Sequence, residues 1–274
     1  MNQTVAKCVL TTMKDLHEFE GQVVRPLSLL ERGIGALLLV IALSACTSTL
    51  TWEPLAGPHN LELGDVSTAP MSAELEFDAI VDTERLRLDG VWVSEGPDRF
   101  RLELRAPTGG VIFAVATDGD EITCYDARAG KYFVGSANAK TFDLLLPIAP
   151  LSLTSEQWLS LLLGAFNPPK DATYERSDNG SLRARFRQGS NQVSAVFDPK
   201  GFLAELNIGH GEANHVTVGY SRRDGRGRSL QTLIEDSSGA HRMRMRLHDL
   251  REAEGFSKNV FRIKQPRNVE TISL

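Results

Sequence analysis

Hydrophobic and polar residues alternate along most of the chain after Met71. The alternation is regular over residues 74–79, 85–92 and 99–105, where apolar side chains occupy every second position and charged ones lie between them. This period of two is typical of strands that have one buried and one solvated face. Turns that contain Gly, Pro or Asp separate the strands. The same reasoning predicts further strands at residues 111–116, 121–125, 131–134, 173–177, 182–188, 192–197, 202–208, 215–220, 230–234, 242–250 and 260–264.

Two helices are predicted between the strands, over residues 139–146 and 154–163. Thr154 is followed three positions later by Gln157, which is the spacing of an N-terminal capping box. Gly164 is placed to end the second helix.

The closely spaced strands predict one mainly β domain over residues 71–274, in which an antiparallel sheet curls or closes. A length of about 200 residues is within the range of a single all-β domain. Residues 111–116 are apolar on both faces. This favours a barrel-like wall, because an open sheet with one wet face would alternate there as well.

An uninterrupted apolar run, residues 34–43, follows Arg25 and Arg32 and precedes the small residues Ser44 and Ala45. A basic flank, an apolar core of about 7–15 residues and a small-residue exit are typical of a cleaved secretory signal. The run is shorter than the roughly 20 helical residues that span a bilayer. The alternative, a buried core helix, is disfavoured because the run has no polar face.

The residue that follows the small pair is Cys46. The segment Leu43-Ser44-Ala45-Cys46 resembles the lipobox of bacterial lipoproteins. The resemblance implies that residues 1–45 are a removed signal peptide and that Cys46 carries acyl chains that anchor it in membrane lipid, since the thiol is the nucleophile that takes the lipid. Thr47, in place of Asp, favours the outer membrane. Residues 46–70 are rich in Thr, Ser, Pro and Gly and are predicted to form a flexible tether.

Composition and charge exclude several classes of function. Of the 274 residues, 42% are hydrophobic and 24% charged, and the formal net charge of −5 gives no attraction to nucleic acid. His210 and His215 flank a glycine-containing turn without a third ligand, so no metal site is predicted. No nucleophile elbow or phosphate-binding loop occurs, and Cys124 is interpreted as a small apolar strand residue. The sequence therefore predicts a protein that is not an enzyme and that has no cofactor.

Three segments occur in the order found in one family of envelope proteins. Residues 98–110 resemble the R-x-R-L-x-L-x-x-P-x-G segment of LolB-type outer-membrane lipoproteins. Trp158 and Gly164 fit the helix pattern that follows in this family, and residues 260–268 are similar to the last strand and the Pro-containing turn of LolA/LolB-like chains. The resemblance extends from Met71 to the C-terminus.

This resemblance implies both a fold and a function. The fold is an incomplete antiparallel β-barrel of about eleven strands, with short helices against its concave face. The function is to receive acylated lipoproteins from a LolA-like periplasmic carrier and to pass them into the outer membrane, by a protein that is a monomer. Because the carrier is not lipidated, the lipobox favours the receptor-like branch. A second hypothesis is an envelope scaffold or assembly factor that uses the same fold without transfer.

Binding of an acyl chain requires a dry concave wall. The inward-facing positions of the strands and helices predict an apolar cleft, and the alternative is that the same side chains simply fill a core. The predicted lining residues are Phe77, Trp92, Phe100, Leu102, Leu104, Phe113, Val115, Phe142, Leu146, Trp158 and Leu162.

The predicted loop tip after residues 99–105 departs from the LolB pattern. The family places an apolar residue, implicated in membrane insertion of cargo, before the loop glycine, and here that residue is Thr108. Val111 and Ile112 lie close enough in sequence to substitute for it.

Two basic segments occur in the C-terminal half, in residues 222–228 and on one face of the strand at 242–250. They are interpreted as solvated surface or, alternatively, as contacts to phospholipid phosphate.

Overall fold

The computed structural model describes residues 50–55, 69–81, 83–145, 153–210 and 214–274. The predicted signal peptide, the predicted lipidation site Cys46 and the predicted cleft residue Leu146 lie outside these residues. Within the described part, no helix combines the length and the apolarity that are needed to cross a bilayer.

Fifteen strands and two α-helices make up the described chain. The strands are β1 (Trp52–Pro54), β2 (Met71–Val81), β3 (Glu84–Glu95), β4 (Arg99–Arg105), β5 (Val111–Thr117), β6 (Glu121–Asp126), β7 (Lys131–Ser136), β8 (Thr173–Ser177), β9 (Leu182–Gln188), β10 (Asn191–Phe197), β11 (Leu203–His210), β12 (Asn214–Arg223), β13 (Ser229–Asp236), β14 (His241–Glu252) and β15 (Glu270–Ser273). Helices α1 (Ala139–Leu145) and α2 (Ser155–Leu163) connect β7 to β8, and Lys258–Phe261 forms a 3-10 helix.

All strands belong to one open sheet with the order β1-β8-β9-β10-β11-β12-β13-β14-β2-β3-β4-β5-β6-β7-β15. Strands β2 to β7 and β8 to β14 are two antiparallel meanders, and the pairing of β2 with β14 joins them. The prediction of a mainly β fold with an incomplete sheet and short helices is confirmed. Two details of it were wrong: the sheet has fifteen strands instead of about eleven, and β15 pairs with β7 in parallel.

The sheet curls around α2. This helix contacts both β4 and β13, although three strands lie between those two in the sheet. The predicted caps of α2 are present: the Thr154 side chain accepts a hydrogen bond from the Gln157 backbone, and Gly164 adopts a left-handed conformation with φ 69°. The helix-covered face is therefore the concave one, and it carries the main hydrophobic core.

A second, smaller core lies on the opposite face of the sheet. It contains Ala114, Ala116, Tyr132 and Ile263. The Tyr132 hydroxyl donates to the Ile263 carbonyl over 2.9 Å, and the Ile263 amide donates to Thr123 Oγ1 over 3.1 Å. The apolarity of residues 111–116 on both faces results from this cover, and the sheet to which these residues belong is curled but not closed.

The strand predicted at residues 260–264 is absent. Residues 258–261 form the 3-10 helix, and the last strand is β15 instead. Phe261 and Ile263 are buried, while Arg101 donates to the carbonyls of Val260 and Arg262. The segment therefore alternates between buried and exposed positions while its carbonyls bond to a side chain instead of a neighbouring strand.

The predicted tether also requires a correction, because part of it belongs to the sheet. Three residues of the range 46–70 form β1, which pairs antiparallel with β8. An edge strand presents unpaired backbone groups, and a short added strand satisfies some of them. The Arg183 guanidinium carbon lies 4.2 Å from the centre of the Trp52 ring, which holds β1 in place.

Candidate functional site

Four aromatic rings connect the concave face of the sheet to both helices. Trp92 on β3 stacks on Phe100 of β4 with ring centroids 5.4 Å apart. Phe100 lies 6.2 Å from Phe142 of α1, which lies 6.5 Å from Trp158 of α2. Contacts of this kind contribute about 0.5–1.5 kcal/mol per pair beyond the burial of area. The rings therefore position the two helices against strands β3 and β4.

The structure brings most of the predicted lining residues together in the main core on this face. Leu102 and Phe113 are partly buried and pack against that core. Whether these side chains also line a cleft stays a prediction. The buried members of the predicted set are Phe77, Trp92, Phe100, Leu104, Val115, Phe142, Trp158 and Leu162.

The second half of the sheet contributes equally to the concave face, which the sequence analysis did not include. Phe197, Leu206 and Val218 are buried in the same core. The signal was present in the sequence, since β10, β11 and β12 have the same alternation as the first strands. The candidate site is therefore the whole helix-covered face.

Two polar atoms at the helix–sheet contact are buried and have no hydrogen-bond partner among the described residues, namely Trp158 Nε1 and the Tyr220 hydroxyl. Tyr220 lies beside the end of α2, because a Cβ added at Gly164 would be 3.2 Å from its ring. Burial raises the pKa of the Tyr220 phenol, so this group stays protonated. A buried polar group without a partner costs about 1–3 kcal/mol.

A side-chain hydrogen bond also ties α2 to strand β13. Thr232 Oγ1 of β13 donates to the Leu162 carbonyl over 2.8 Å. Thr232 is 2% exposed, so this bond is shielded from water. It satisfies one of the carbonyls that the end of a helix leaves without a partner.

The loop between β4 and β5 ends in polar and glycine residues. The Ala106 amide donates to the Gly110 carbonyl and the Gly109 amide donates to the Ala106 carbonyl, both over 2.8 Å. Thr108 is exposed at the tip. Val111 packs against the small outer core and Ile112 against the main core. The loop tip therefore presents a hydroxyl where LolB-type receptors have an apolar side chain.

The basic strand face is balanced by acidic residues on its neighbours. Arg246 and Arg87 both pair with Glu76 over 2.9 Å, and Arg85 pairs with Asp78 over 2.6 Å. The hydrogen bond from Arg85 lowers the pKa of Asp78 below its ordinary value. These contacts agree with the interpretation of a solvated face.

The arginine-rich segment at residues 222–228 is tied into the fold. Arg228 is 3% exposed and pairs with Asp224 over 2.7 Å and with Glu252 over 3.1 Å. Arg223 donates to the carbonyls of Gly227 and Leu203. Both side chains therefore stabilise the β12–β13 turn.

Metal-binding chemistry is not apparent in the described part of the chain, which contains no cluster of His, Cys, Asp and Glu that could hold an ion. His215 is exposed on β12, and the turn before it lies outside the described residues. Cys124 is buried in β6, as expected for a small apolar strand residue.

Comparisons with other proteins give structural likenesses only. No protein-family model matches the chain, and no curated protein does. The structure is similar to that of a LolA superfamily protein from Nitrosomonas europaea, with a TM-score of 0.47 and 10% identity over 73% of this chain and 93% of that one. A domain from Vibrio parahaemolyticus, described as an outer membrane lipoprotein-sorting protein domain, has a TM-score of 0.47 and 9% identity over 72% of this chain and 91% of that one. With TM-scores below 0.5, these likenesses do not assign the chain to a family or a function.

Proposed function

We propose that the chain is an exported outer-membrane lipoprotein, anchored through acylated Cys46, that binds acyl chains of lipids or lipoproteins on the concave face of its sheet. The observation that carries this proposal is the curl of an open, apolar sheet around two short helices. Such a face provides the dry surface that a hydrocarbon chain requires. The Leu43–Cys46 segment supports the anchor.

The helices are the elements that would shift to admit a ligand between themselves and the sheet. Helix α1 has seven residues and α2 has nine, which is below the roughly 12–15 residues at which an isolated helix becomes stable in water. Their attachment is mainly apolar packing. An acyl chain offers contacts of the same kind, worth about 25 cal/mol per Å² of buried apolar area. The exchange of helix contacts for ligand contacts is therefore close to balanced in free energy.

Transfer of lipoproteins from a LolA-like carrier is the specific function that the resemblance to LolB-type receptors supports. One observation favours the second candidate, an envelope scaffold or assembly factor. The exposed loop tip carries Thr108 in place of an apolar residue that could enter the membrane. If the scaffold function is correct, depletion of the protein leaves lipoprotein sorting intact, and a stable envelope partner co-purifies with it.

Acyl-chain binding is tested with the full chain, purified after export from a Gram-negative host. We expect the protein to bind a fluorescent fatty-acid probe, and we expect monopalmitoylglycerol to displace the bound probe. The matched competitor 1-O-hexadecylglycerol has the same chain length and headgroup. An ether replaces its ester, so it lacks the carbonyl oxygen that could accept a hydrogen bond. Because Trp158 Nε1 is a buried donor without a partner, the ester should compete more strongly than the ether.

The variant Trp158→Phe keeps an aromatic ring and removes this donor. One hydrogen bond between uncharged groups contributes about 0.5–1.5 kcal/mol, so the preference for the ester should be about twofold to twelvefold and should disappear in the variant. The melting temperature of the variant serves as the folding control. Failure of the wild type to bind the probe or either competitor would overturn acyl-chain binding and favour the scaffold.

A further inference from the structure

The β1 strand fixes the chain to one edge of the sheet very close to the predicted anchor. Trp52, Glu53 and Pro54 pair with Ser177, Arg176 and Glu175 of β8. The Leu55 amide donates to the Tyr174 carbonyl over 2.9 Å, and Leu55 packs against the main core. The first strand after Cys46 in the sequence is therefore β1 at the edge of the sheet, and not the strand that begins at Met71.

Chain length then limits how far this edge can be from the lipid. Six residue steps separate Cys46 from Trp52, and an extended chain spans at most about 3.6 Å per residue, which gives a reach of about 22 Å. A tether that ended at Met71 would have 25 steps and a reach of about 90 Å. The shorter link restricts the orientation of the domain, whereas the longer one would leave it free.

The residues of this edge are suited to a lipid surface. Leu50, between Cys46 and β1, is the large apolar side chain that the described part of the chain exposes, at 42%. Arg176 on β8 is exposed and lies directly opposite Glu53 of β1 in the register of the two strands. Paired strands are about 4.8 Å apart, so the Arg176 side chain is within reach of headgroups that border β1.

We infer that the β1–β8 edge of the sheet lies against the membrane, with Leu50 at the level of the headgroups and with Arg176 on a phosphate of an anionic phospholipid. This inference rests on the proposed acylation of Cys46. The opposite edge of the sheet is formed by β15, fourteen positions away in the strand order, so the short link to Cys46 does not hold that edge near the bilayer.

Two labelled variants test the orientation. The acylated full chain is placed in vesicles of phosphatidylethanolamine and phosphatidylglycerol, and a thiol-reactive fluorophore is attached at Glu53→Cys on β1 or at Thr271→Cys on β15. Both positions are exposed, whereas Cys124 is buried and Cys46 is blocked by its lipid. Unsubstituted protein controls for labelling at other sites. Nitroxide-bearing headgroups should quench the label at position 53 several-fold more than the label at position 271.

Two further variants test why the label at position 53 should be quenched more than the label at position 271. A long Gly/Ser insertion between Ser48 and Thr49 should remove most of the difference, because it releases the restraint on reach. The change Arg176→Gln should weaken quenching at position 53 when phosphatidylglycerol is present, and no change would overturn the contact with phosphate.

The outcomes separate this inference from the proposed function. Equal quenching at positions 53 and 271, in protein that stays on the vesicles, overturns the orientation and leaves the anchor in place. Failure of the protein to associate with vesicles overturns both.

Discussion

Phe142 attaches α1 to the rest of the domain. Its side chain is completely buried, and its ring lies between Phe100 of the sheet and Trp158 of α2. Replacement by alanine removes both ring contacts and leaves a cavity between a seven-residue helix and the sheet. Phe142→Ala therefore tests whether the packing of α1 stabilises the whole domain.

The expected loss follows from burial and from the two ring pairs. A buried Phe→Ala change costs about 3–5 kcal/mol, and loss of two aromatic pairs favours the upper half of this range, about 4 kcal/mol. Phe166→Ala is the matched control, because Phe166 is only partly buried and has one stacked partner, Phe186, at 5.7 Å. Its expected cost is about 1–2 kcal/mol.

Urea denaturation followed by tryptophan fluorescence measures both costs. With a slope of about 2 kcal/mol per molar urea, Phe142→Ala should lower the midpoint by about 2 M and Phe166→Ala by less than about 1 M. A shift for Phe142→Ala no larger than that of Phe166→Ala would refute the reasoning. It would show that α1 separates from the sheet before the domain unfolds.

Two further predictions concern the anchor and the charged face. Cys46→Ala should abolish incorporation of labelled palmitate and leave the precursor uncleaved, and labelling that persists in this variant would contradict the lipidation of Cys46. Because the pKa of Asp78 is lowered in the folded state, its pairing with Arg85 stabilises the fold above about pH 4 and is lost as the pH falls through the lowered value. Asp78→Asn should therefore be less stable than wild type at neutral pH, with the difference narrowing in acid; melting curves that stay equally separated at every pH would disprove this.

The strands of both meanders could be predicted from the sequence because each has one wet face and one dry face. The same rule failed at residues 260–264, where Phe261 and Ile263 are buried and Arg262 and Lys264 are exposed. This pattern reports which side chains are buried but not what the backbone bonds to. The backbone of Val260 and Arg262 bonds to the Arg101 side chain, a contact across more than 150 residues that no local pattern encodes.

The sequence was sufficient to predict which residues belong to the candidate site, but not whether they fill a core or line a cleft. Trp92 and Phe142 were identified because large apolar residues at inward positions become buried. An apolar ring has the same sequence signature whether it fills a core or lines a cleft, so periodicity does not separate the two. The strand β1 was missed for a different reason: three residues are too few for an alternation, and their pairing is set by the free edge of β8.

The cover over the outer face has a consequence for the order in which the protein is made. Ala114 and Ala116 are shielded by Ile263, which lies about 150 positions later, and β15 completes the sheet with the last residues of the chain. A polypeptide that crosses the inner membrane in an unfolded form, N-terminus first, cannot close this contact until its final segment has emerged. If the protein is exported as proposed, the cover over the outer face is therefore among the last parts of the fold to form.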